Sequence, residues 1–278
     1  MSARAGGTTA ATPDSGHRPP RNEWAAASRA EWVKIRSLRS TLWSLLPFVA
    51  GGVGLAALVA WSFRSSLAGG AREGFENFDP LFAAFYGLTV AQLGVVVFAA
   101  LSAGGEYGTG VIRASLAAVP RRGRFYTAKA TVVTLAIAAA ALVTVPAAFL
   151  VSQRVLGPYG AAAGPAEWEA IAGTVLYVTL MGAFTLGVAA MLRSTVRTLG
   201  VLLPVFVLGS QGLGNAPVLG KLTQYLPDQT GWVIMHLAPE ADPRFARDYG
   251  AWGGLGILAL WTAAALLGGY LTLRRRDA

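Results

Sequence analysis

The stretch ATVVTLAIAAAALVTVPAAFLVSQ, residues 130–153, contains no charged residue and decides the fold of this chain. An α-helix rises about 1.5 Å per residue and the hydrocarbon core of a bilayer is about 30 Å thick, so about 20 apolar residues are enough to cross it. Backbone groups in lipid must be satisfied within their own segment, which selects a helix. The stretch therefore predicts a transmembrane helix.

Five further uncharged runs of similar length surround this one. The chain has 278 residues, of which 54% are hydrophobic and only 13% are charged, which is too apolar for a soluble domain. We therefore predict an all-α, polytopic membrane protein with six transmembrane helices. The predicted spans are residues 42–63, 81–104, 130–152, 171–192, 198–214 and 250–273.

The distribution of basic residues predicts the orientation. The N-terminal tail, the loops 106–129 and 193–197 and the C-terminus carry 17 of the 23 Lys and Arg residues, and that side has a net charge of +12 against −3 on the other. Cytoplasmic segments near span ends are enriched in Lys and Arg, so both termini are predicted to be cytoplasmic. Nucleic-acid binding would also explain basic charge, but the charge is divided among short segments beside the spans, without a binding motif. No nucleic-acid partner is predicted.

The N-terminal region divides into two parts before the first span. Residues 1–22 are rich in Ser, Thr, Gly and Pro and predict a disordered cytoplasmic tail, while residues 23–278 form the membrane domain. Residues 23–41 predict an amphipathic helix in the inner membrane interface, with apolar residues at helical spacing and basic residues between them. An alternative is a cytoplasmic extension of the first span. The residues that define this helix are Trp32, Lys34, Ile35, Arg36, Leu38 and Arg39.

The loop GGEYGTGVIRASLAAVPRRGRFYTAK, residues 104–129, is the most specific feature of the sequence. Between Gly110 and Pro120 it predicts a helix of two to three turns whose Ile112, Leu116 and Val119 share one face. Such a short helix between two spans fits a groove of a cytoplasmic partner. The alternative is that its apolar face rests on the membrane or on its own bundle.

The same loop contains charged residues at both ends of the predicted short helix. Glu106 is expected to cap the helix, and Arg113 is expected to hold the partner or the capping region. The basic residues that follow Pro120 anchor the next span at the inner leaflet. The candidate partner-contact residues are Glu106, Tyr107, Gly110, Ile112, Arg113, Leu116, Pro120 and Arg121.

The other side of the membrane carries one longer connection, residues 221–248. Its central apolar run, Gln229–Pro239, is too short to cross and predicts a small helix resting on the outer leaflet or dipping into it. At the start of the last span, Gly250 and Gly254 stand four residues apart and predict a close helix approach.

Catalytic and metal-binding chemistry is not indicated. The chain has no cysteine and only two histidines, His17 and His236, and it lacks a phosphate-binding loop, so no cofactor, no metal and no enzymatic activity are predicted. The six uncharged runs contain no ionisable residue, which argues against coupling to an ion gradient. Energy for transport would then come from a partner with its own ATP site.

Uncharged polar residues within the spans are candidates for a cargo path. The same residues also serve as ordinary hydrogen-bonding groups between helices, and for each one alone the structural role is preferred. The candidates are Gln92, Thr144, Tyr177, Thr185, Ser210 and Gln211.

Four patterns in order along the chain resemble the type 2 ABC exporter permeases of high-GC bacteria. They are Glu31-Trp32-Val33-Lys34-Ile35-Arg36-Ser37-Leu38-Arg39-Ser40-Thr41; the loop pattern Glu106-Tyr107, Gly110, Arg113, Leu116, Pro120-Arg121-Arg122 and Lys129; Leu226-Pro227 with Gly231; and Arg275-Arg276-Asp277-Ala278. The resemblance implies a permease subunit in a bacterial plasma membrane, whose coupling helix lies between the second and third spans and contacts the ATPase, with the amphipathic helix beside it.

The family resemblance also implies the partners. They are a separate ATP-binding subunit, a second permease chain in a homo- or heterodimer, and membrane lipid. Members of this family handle glycans, lipids, drugs and peptides, so the cargo is not fixed. The alternatives are an intramembrane enzyme acting on lipid and a permease-like sensor or scaffold that moves no cargo.

Overall fold

The computed structural model describes residues 23–37, 43–70, 78–119, 121–210, 220–237 and 246–275, and these ranges contain helices and turns but no β-strand. A 3-10 turn, Gly157–Tyr159, follows the longest helix of these ranges. The helices are α1 (Glu23–Ser37), α2 (Leu46–Ala68), α3 (Pro80–Gly108), α4 (Val111–Ala118), α5 (Arg122–Leu156), α6 (Pro165–Leu192), α7 (Thr195–Ser210), α8 (Gly220–Thr223) and α9 (Ala251–Arg275).

Five of these helices, α2, α3, α5, α6 and α9, are long and apolar enough to cross a membrane. They coincide with five of the six predicted spans, and the described part of the chain is all-helical, as predicted. The remaining predicted span, residues 198–214, coincides with α7, which is apolar but shorter. Residues 211–214 lie outside the described ranges, so the sixth span remains a prediction.

Helices α3 and α5 extend beyond the uncharged runs that predicted them at the same end of the bundle. Helix α3 continues to Gly108 and α5 begins at Arg122, so the end of the bundle where α3 ends and α5 begins, the basic end, includes charged residues. Glu106 and Lys129 both lie within these helices near that end. The predicted spans 81–104 and 130–152 contain no ionisable residue, and Glu106 and Lys129 lie in the parts of the helices that extend beyond them.

Helices α3 and α6 form the centre of the bundle, and α2 and α9 are the most exposed spans. Helix α2 packs against α3 and α5, while α9 packs against α6. Close approach depends on glycine, because a Cβ at Gly94 would lie 2.9 Å from the backbone nitrogen of Phe48, and one at Gly187 would lie 2.5 Å from the carbonyl carbon of Ala265. Small residues let helix backbones approach in this way.

At the opposite end, residues 220–237 fold into the bundle. After α8 they form consecutive turns, and Trp232, Ile234, Met235 and Leu237 are all buried. The hydroxyl of Tyr177 on α6 donates to the carbonyl oxygen of Asp228 at 3.1 Å, which ties the segment to the core. The described part of Gln229–Pro239 consists of turns packed against α6 and α9, so the predicted small helix resting on the outer leaflet or dipping into it is wrong for these residues.

Gly254 makes its close contact with this buried segment. A Cβ at Gly254 would lie 2.2 Å from the carbonyl oxygen of Thr230, whereas one at Gly250 would meet no atom within 4 Å. The predicted role of Gly250 in close packing is therefore wrong, and the role of Gly254 comes from a different neighbour.

We expect Gly254→Ala to lower the free energy of unfolding by about 1–3 kcal/mol, because overpacking against backbone forces a shift. The matched change Gly250→Ala should leave stability within about 0.5 kcal/mol of the parent. Thermal unfolding in detergent measures both. Equal melting temperatures for the two variants would contradict the packing of residues 220–237 at the start of α9.

Candidate functional site

Helix α1 lies against the basic end of the bundle, chiefly on α5. Ala27, Glu31 and Ile35, four residues apart, form its buried stripe. Trp32 is 47% exposed and points away from this stripe, so the predicted apolar face of Trp32 with Ile35 is divided in the structure. The ion pairs of Glu31 hold the side of α1 that carries this residue against the bundle. Arg36 is exposed, and Leu38 and Arg39 lie outside the described residues.

Four charged side chains from three helices meet where α1 packs on the bundle. We call these residues, Glu31, Lys34, Glu106 and Lys129, the charge network. Lys129 Nζ donates to Glu31 Oε2 at 2.6 Å and to Glu106 Oε1 at 2.8 Å. Lys34 Nζ donates to Glu31 Oε1 at 2.7 Å and to Glu106 Oε1 at 2.9 Å. Two positive and two negative groups thereby neutralise one another in a largely buried position.

The surroundings of the charge network keep its charges paired. The side chains of Lys129 and Glu31 are only 7% and 5% exposed, while that of Lys34 is 30% exposed. Burial lowers the pKa of Lys34 and is the largest single effect, but the hydrogen bonds and charges of Glu31 and Glu106 together outweigh it and raise the pKa. The ring of Phe125 lies 5.6 Å from Lys34 Nζ and 5.4 Å from Lys129 Nζ, which adds cation–π attraction.

The charge network borders a cavity of about 470 Å³ between α1, α3 and α5. Glu106 Oε2 is buried and has no hydrogen-bond partner among the described residues. A buried carboxylate oxygen without a hydrogen-bond donor lowers the stability of the fold, because the desolvation of this atom is not compensated.

The short helix α4 is the element that the loop sequence predicts. It begins after Gly110, whose φ of +73° lies in the left-handed region that glycine adopts without strain, and this residue turns the chain sharply after α3. Glu106 does not cap α4: Gly110 occupies the cap position without a side-chain bond, and Glu106 belongs to the last turns of α3. The predicted capping role is wrong because Lys34 and Lys129 draw the carboxylate into the charge network.

The apolar face of α4 packs on its own bundle. Ile112 is buried with Phe125, Tyr126, Ala190 and Leu273, and Leu116 and Val119 are partly buried against the same cluster. Ser115 Oγ accepts a hydrogen bond from Lys34 Nζ at 3.0 Å, which joins α4 to the charge network. Ile112 and Leu116 therefore hold the helix in place, as in the alternative interpretation of this loop.

The opposite face of α4 is open. Val111, Arg113, Ala114, Ala117 and Ala118 are exposed, and they form a small-residue surface with one guanidinium. Any partner that contacts α4 in this conformation must meet these residues, together with exposed parts of the neighbouring helices.

The remaining candidates of the loop lie at its borders. The guanidinium of Arg193, after α6, stacks over the Tyr107 ring with 4.9 Å between the guanidinium carbon and the ring centroid. Arg121 precedes α5 and lies 3.8 Å from a carboxylate oxygen of Glu23, which also pairs with Arg124. Pro120 lies outside the described residues.

Four of the six polar candidates of the spans have described side chains, and all four are buried inside the single chain. Gln92 Nε2 and Thr185 Oγ1 donate to carbonyl oxygens of their own helices, and Tyr177 bonds the carbonyl of Asp228. Thr144 Oγ1 is buried without a partner among the described residues. Gln211 and the side chain of Ser210 lie outside the described part. The role of all six residues in a cargo path remains a prediction.

Sequence reasoning missed that Glu31 and Lys129 are functional-site candidates, although both occur in the resemblance patterns. Lys129 is bonded to Glu31 across 98 positions of sequence, a separation that no local pattern reveals. A signal did exist, because Lys129 directly precedes the uncharged run 130–153 and a charge at such a position needs a partner when it is buried.

A second polar cluster lies at the opposite end, in the segment 220–237. Asp228 is 1% exposed, and its Oδ2 accepts from Gln229 Nε2 at 2.7 Å. Burial raises the pKa of Asp228 to about 6, from an ordinary value of 3.8, although the Gln229 hydrogen bond and the Arg247 charge oppose the shift.

The raised pKa of Asp228 makes stability depend on pH. Between about pH 4 and pH 6 the folded chain binds more protons at this residue than the unfolded chain, so the free energy of unfolding falls as pH rises, by roughly 3 kcal/mol in all. Asp228→Asn should abolish this slope. Melting temperatures from pH 4 to 8 measure it, with Glu169→Gln, an exposed carboxylate at the same end, as control. If the pH dependence of the melting temperature is the same in Asp228→Asn as in the parent, the buried Asp228 carboxylate is not its cause.

The chain matches no protein-family model and no curated protein.

Proposed function

We propose that this chain is the transmembrane subunit of an ATP-driven ABC exporter, which forms the cargo path and receives its energy from a separate ATP-binding subunit. The proposal rests on the position and contacts of α4. It is held at the basic end by Ile112 on one face, exposes Ala114 and Ala117 on the other, and reaches the charge network through Ser115. This is the arrangement expected of an element that receives force from a partner.

The contacts of α4 suggest how movement would pass into the membrane. Ser115 is bonded to Lys34 on α1, and Lys34 is bonded to Glu106 on α3, which also holds Lys129 on α5. A displacement of α4 by the ATP-binding subunit would therefore act on α1 and two spans together. Phe125, which lies beside both lysines and packs with Ile112, joins the apolar and charged parts of this connection.

The proposed assembly contains two permease chains and two ATP-binding chains. To test it, the tagged chain is expressed in its native host, extracted in mild detergent and purified, and the bound proteins are identified by mass spectrometry. We expect an ATPase subunit at one copy per permease chain and ATP hydrolysis by the purified assembly. Purification of the chain without an ATPase, together with transport that stops on collapse of a proton gradient at constant ATP, would refute the proposal.

The proposed orientation places the basic end in the cytoplasm of a bacterial cell. We expect reporters fused after Arg276 or inserted within 106–129 to be cytoplasmic, and reporters within 73–79 or 228–248 to be external, because 17 of the 23 Lys and Arg residues lie on the first side. Paired phosphatase and fluorescent-protein fusions measure this. A C-terminal reporter outside the cell would refute both the orientation and the sixth span.

A further inference from the structure

The cavity of about 470 Å³ beside the charge network has one charged wall and one apolar wall. Besides the four charged residues, its lining includes Ile35, Leu101, Val111 and Val133. Leu101 and Val133 belong to the predicted spans 81–104 and 130–152, whereas Glu106 lies beyond the first of them, about 7 Å further along the α3 axis. The cavity therefore crosses the level at which these spans pass from apolar to charged sequence.

The polar side chains of this lining have partners, with one exception. Both carboxylate oxygens of Glu31 accept hydrogen bonds from the lysines of the charge network. The hydroxyls of Ser102 and Thr109 donate to carbonyl oxygens of α3. Glu106 Oε1 accepts from both lysines, but its Oε2 is buried and receives no hydrogen bond from the described residues. The lining therefore lacks one donor, at this atom.

The charge balance of the cavity favours an uncharged donor. Two lysines and two glutamates already neutralise one another around Glu106, so a cationic ligand would add net positive charge in a largely buried position. Burial of uncompensated charge costs far more than burial of a hydroxyl that makes its hydrogen bond. A hydroxyl can donate to a carboxylate oxygen without adding charge.

The size and position of the cavity fit part of a lipid. Its volume lies within the range of about 300–1,000 Å³ that is usual for small-molecule sites, which combine apolar walls with a few polar groups. Ser37 and Val111 of the lining are exposed, so the cavity reaches the surface of the described part of the chain. A molecule with a hydroxyl at one end and hydrocarbon at the other satisfies both walls, whereas water satisfies only the charged one.

We propose that this cavity binds the uncharged, hydroxyl-bearing end of a membrane lipid, of which diacylglycerol is the simplest example, and that the hydroxyl donates to Glu106 Oε2. The apolar wall at Leu101 and Val133 contacts the first part of the hydrocarbon chains, and the rest of the chains lies in the bilayer. The inference does not depend on the exporter assignment, since it rests on the cavity lining and on the charge balance. Water alone and a cationic amphiphile are the competing occupants.

The first experiment compares lipids that differ in the donor. The full purified chain in detergent is titrated with dioleoylglycerol, with its acetate ester, which has the same chains but no O–H group, or with cationic oleylamine, and bound lipid is counted by native mass spectrometry. Because hydrogen bonds to a charged acceptor are strong, we expect dioleoylglycerol to bind at least about tenfold more tightly than the acetate and more tightly than oleylamine. Equal binding of dioleoylglycerol and its acetate, no binding of either, or tighter binding of oleylamine would overturn the proposal.

A pair of glycine variants locates the bound lipid. Gly105 belongs to the lining, and a Cβ there would meet no atom within 4 Å, so a leucine can extend into the cavity without displacing its neighbours. Gly108 has equally open surroundings in the same helix and lies outside the lining. Leucine is a better helix former than glycine, so neither variant should unfold below the parental temperature. We expect Gly105→Leu to bind dioleoylglycerol at least about tenfold more weakly and Gly108→Leu to stay within about twofold of the parent. Equal affinities in the two variants would overturn the proposed site.

Replacing Glu106 by glutamine tests the acceptor itself. The amide keeps one oxygen for the lysines but presents an NH2 group in place of the second oxygen, so the lipid hydroxyl loses its acceptor. We expect the preference for dioleoylglycerol over its acetate to fall from about tenfold to within about twofold. An unchanged preference in the folded Glu106→Gln chain would show that the hydroxyl does not meet this carboxylate, and the proposal would be wrong. If this variant does not fold, the lipid comparison and the glycine pair still decide.

Discussion

Replacing Lys129 by methionine is expected to lower the free energy of unfolding by about 3–5 kcal/mol, because removal of one partner leaves buried charge uncompensated. Among the described residues, Lys34 would then be the one cation that Glu31 and Glu106 share, while the Glu31 side chain is just 5% exposed. Methionine retains most of the apolar volume of lysine, so the loss reports on charge. The measurements are thermal unfolding in detergent and the amount of chain recovered in membranes.

Two matched variants separate pairing from packing in the charge network. Lys34→Met removes the same charge at a side chain that is 30% exposed, so water replaces part of the lost interaction and we expect about half the effect. Adding Glu31→Gln to Lys129→Met removes one charge of each sign and should recover much of the stability. If Lys129→Met is neutral, or if the double variant is no better than the single one, the charge network does not stabilise the fold in the described manner.

The second large effect is expected on the exposed face of α4. If the ATP-binding subunit covers this face, Ala114→Asp places a charge in a desolvated contact, which costs on the order of several kcal/mol. We therefore expect at least about a tenfold loss of copurifying ATPase and of ATP hydrolysis by the assembly. The chain itself should unfold at the parental temperature, because Ala114 is exposed in the single chain.

Two control variants accompany this one, the first on α1 and the second on the packed face of α4. Ala30→Asp makes the same change on the exposed side of α1 and should leave the assembly largely intact. Leu116→Asp alters a residue that packs on the bundle, so it should lower both stability and assembly. Normal assembly and activity in a stably inserted Ala114→Asp chain would exclude α4 as the coupling element.

The sequence was sufficient to predict the helices that depend on composition alone. Uncharged runs such as residues 130–153 must be helical in lipid whatever their neighbours are, and five of the six coincide with helices long and apolar enough to cross a membrane. The short helix α4 was also predictable, since Gly110 permits a left-handed turn before it and Pro120 cannot continue a helix. These signals act over a few residues, so a single sequence contains them.

The tertiary structure alone decided which partner each side chain meets. Glu106 could have capped α4 by its position in sequence, but Lys34 and Lys129 approach it from helices 72 and 23 positions away. In the same way, residues 229–237 have the composition of a surface helix and are buried because Tyr177 and Gly254 contact the segment from α6 and α9. Length and apolarity determine that a helix enters the membrane, since lipid imposes the same condition on every span. Pairing of charges and burial of a connection depend on contacts between distant parts of the chain, which exist only after the helices have packed.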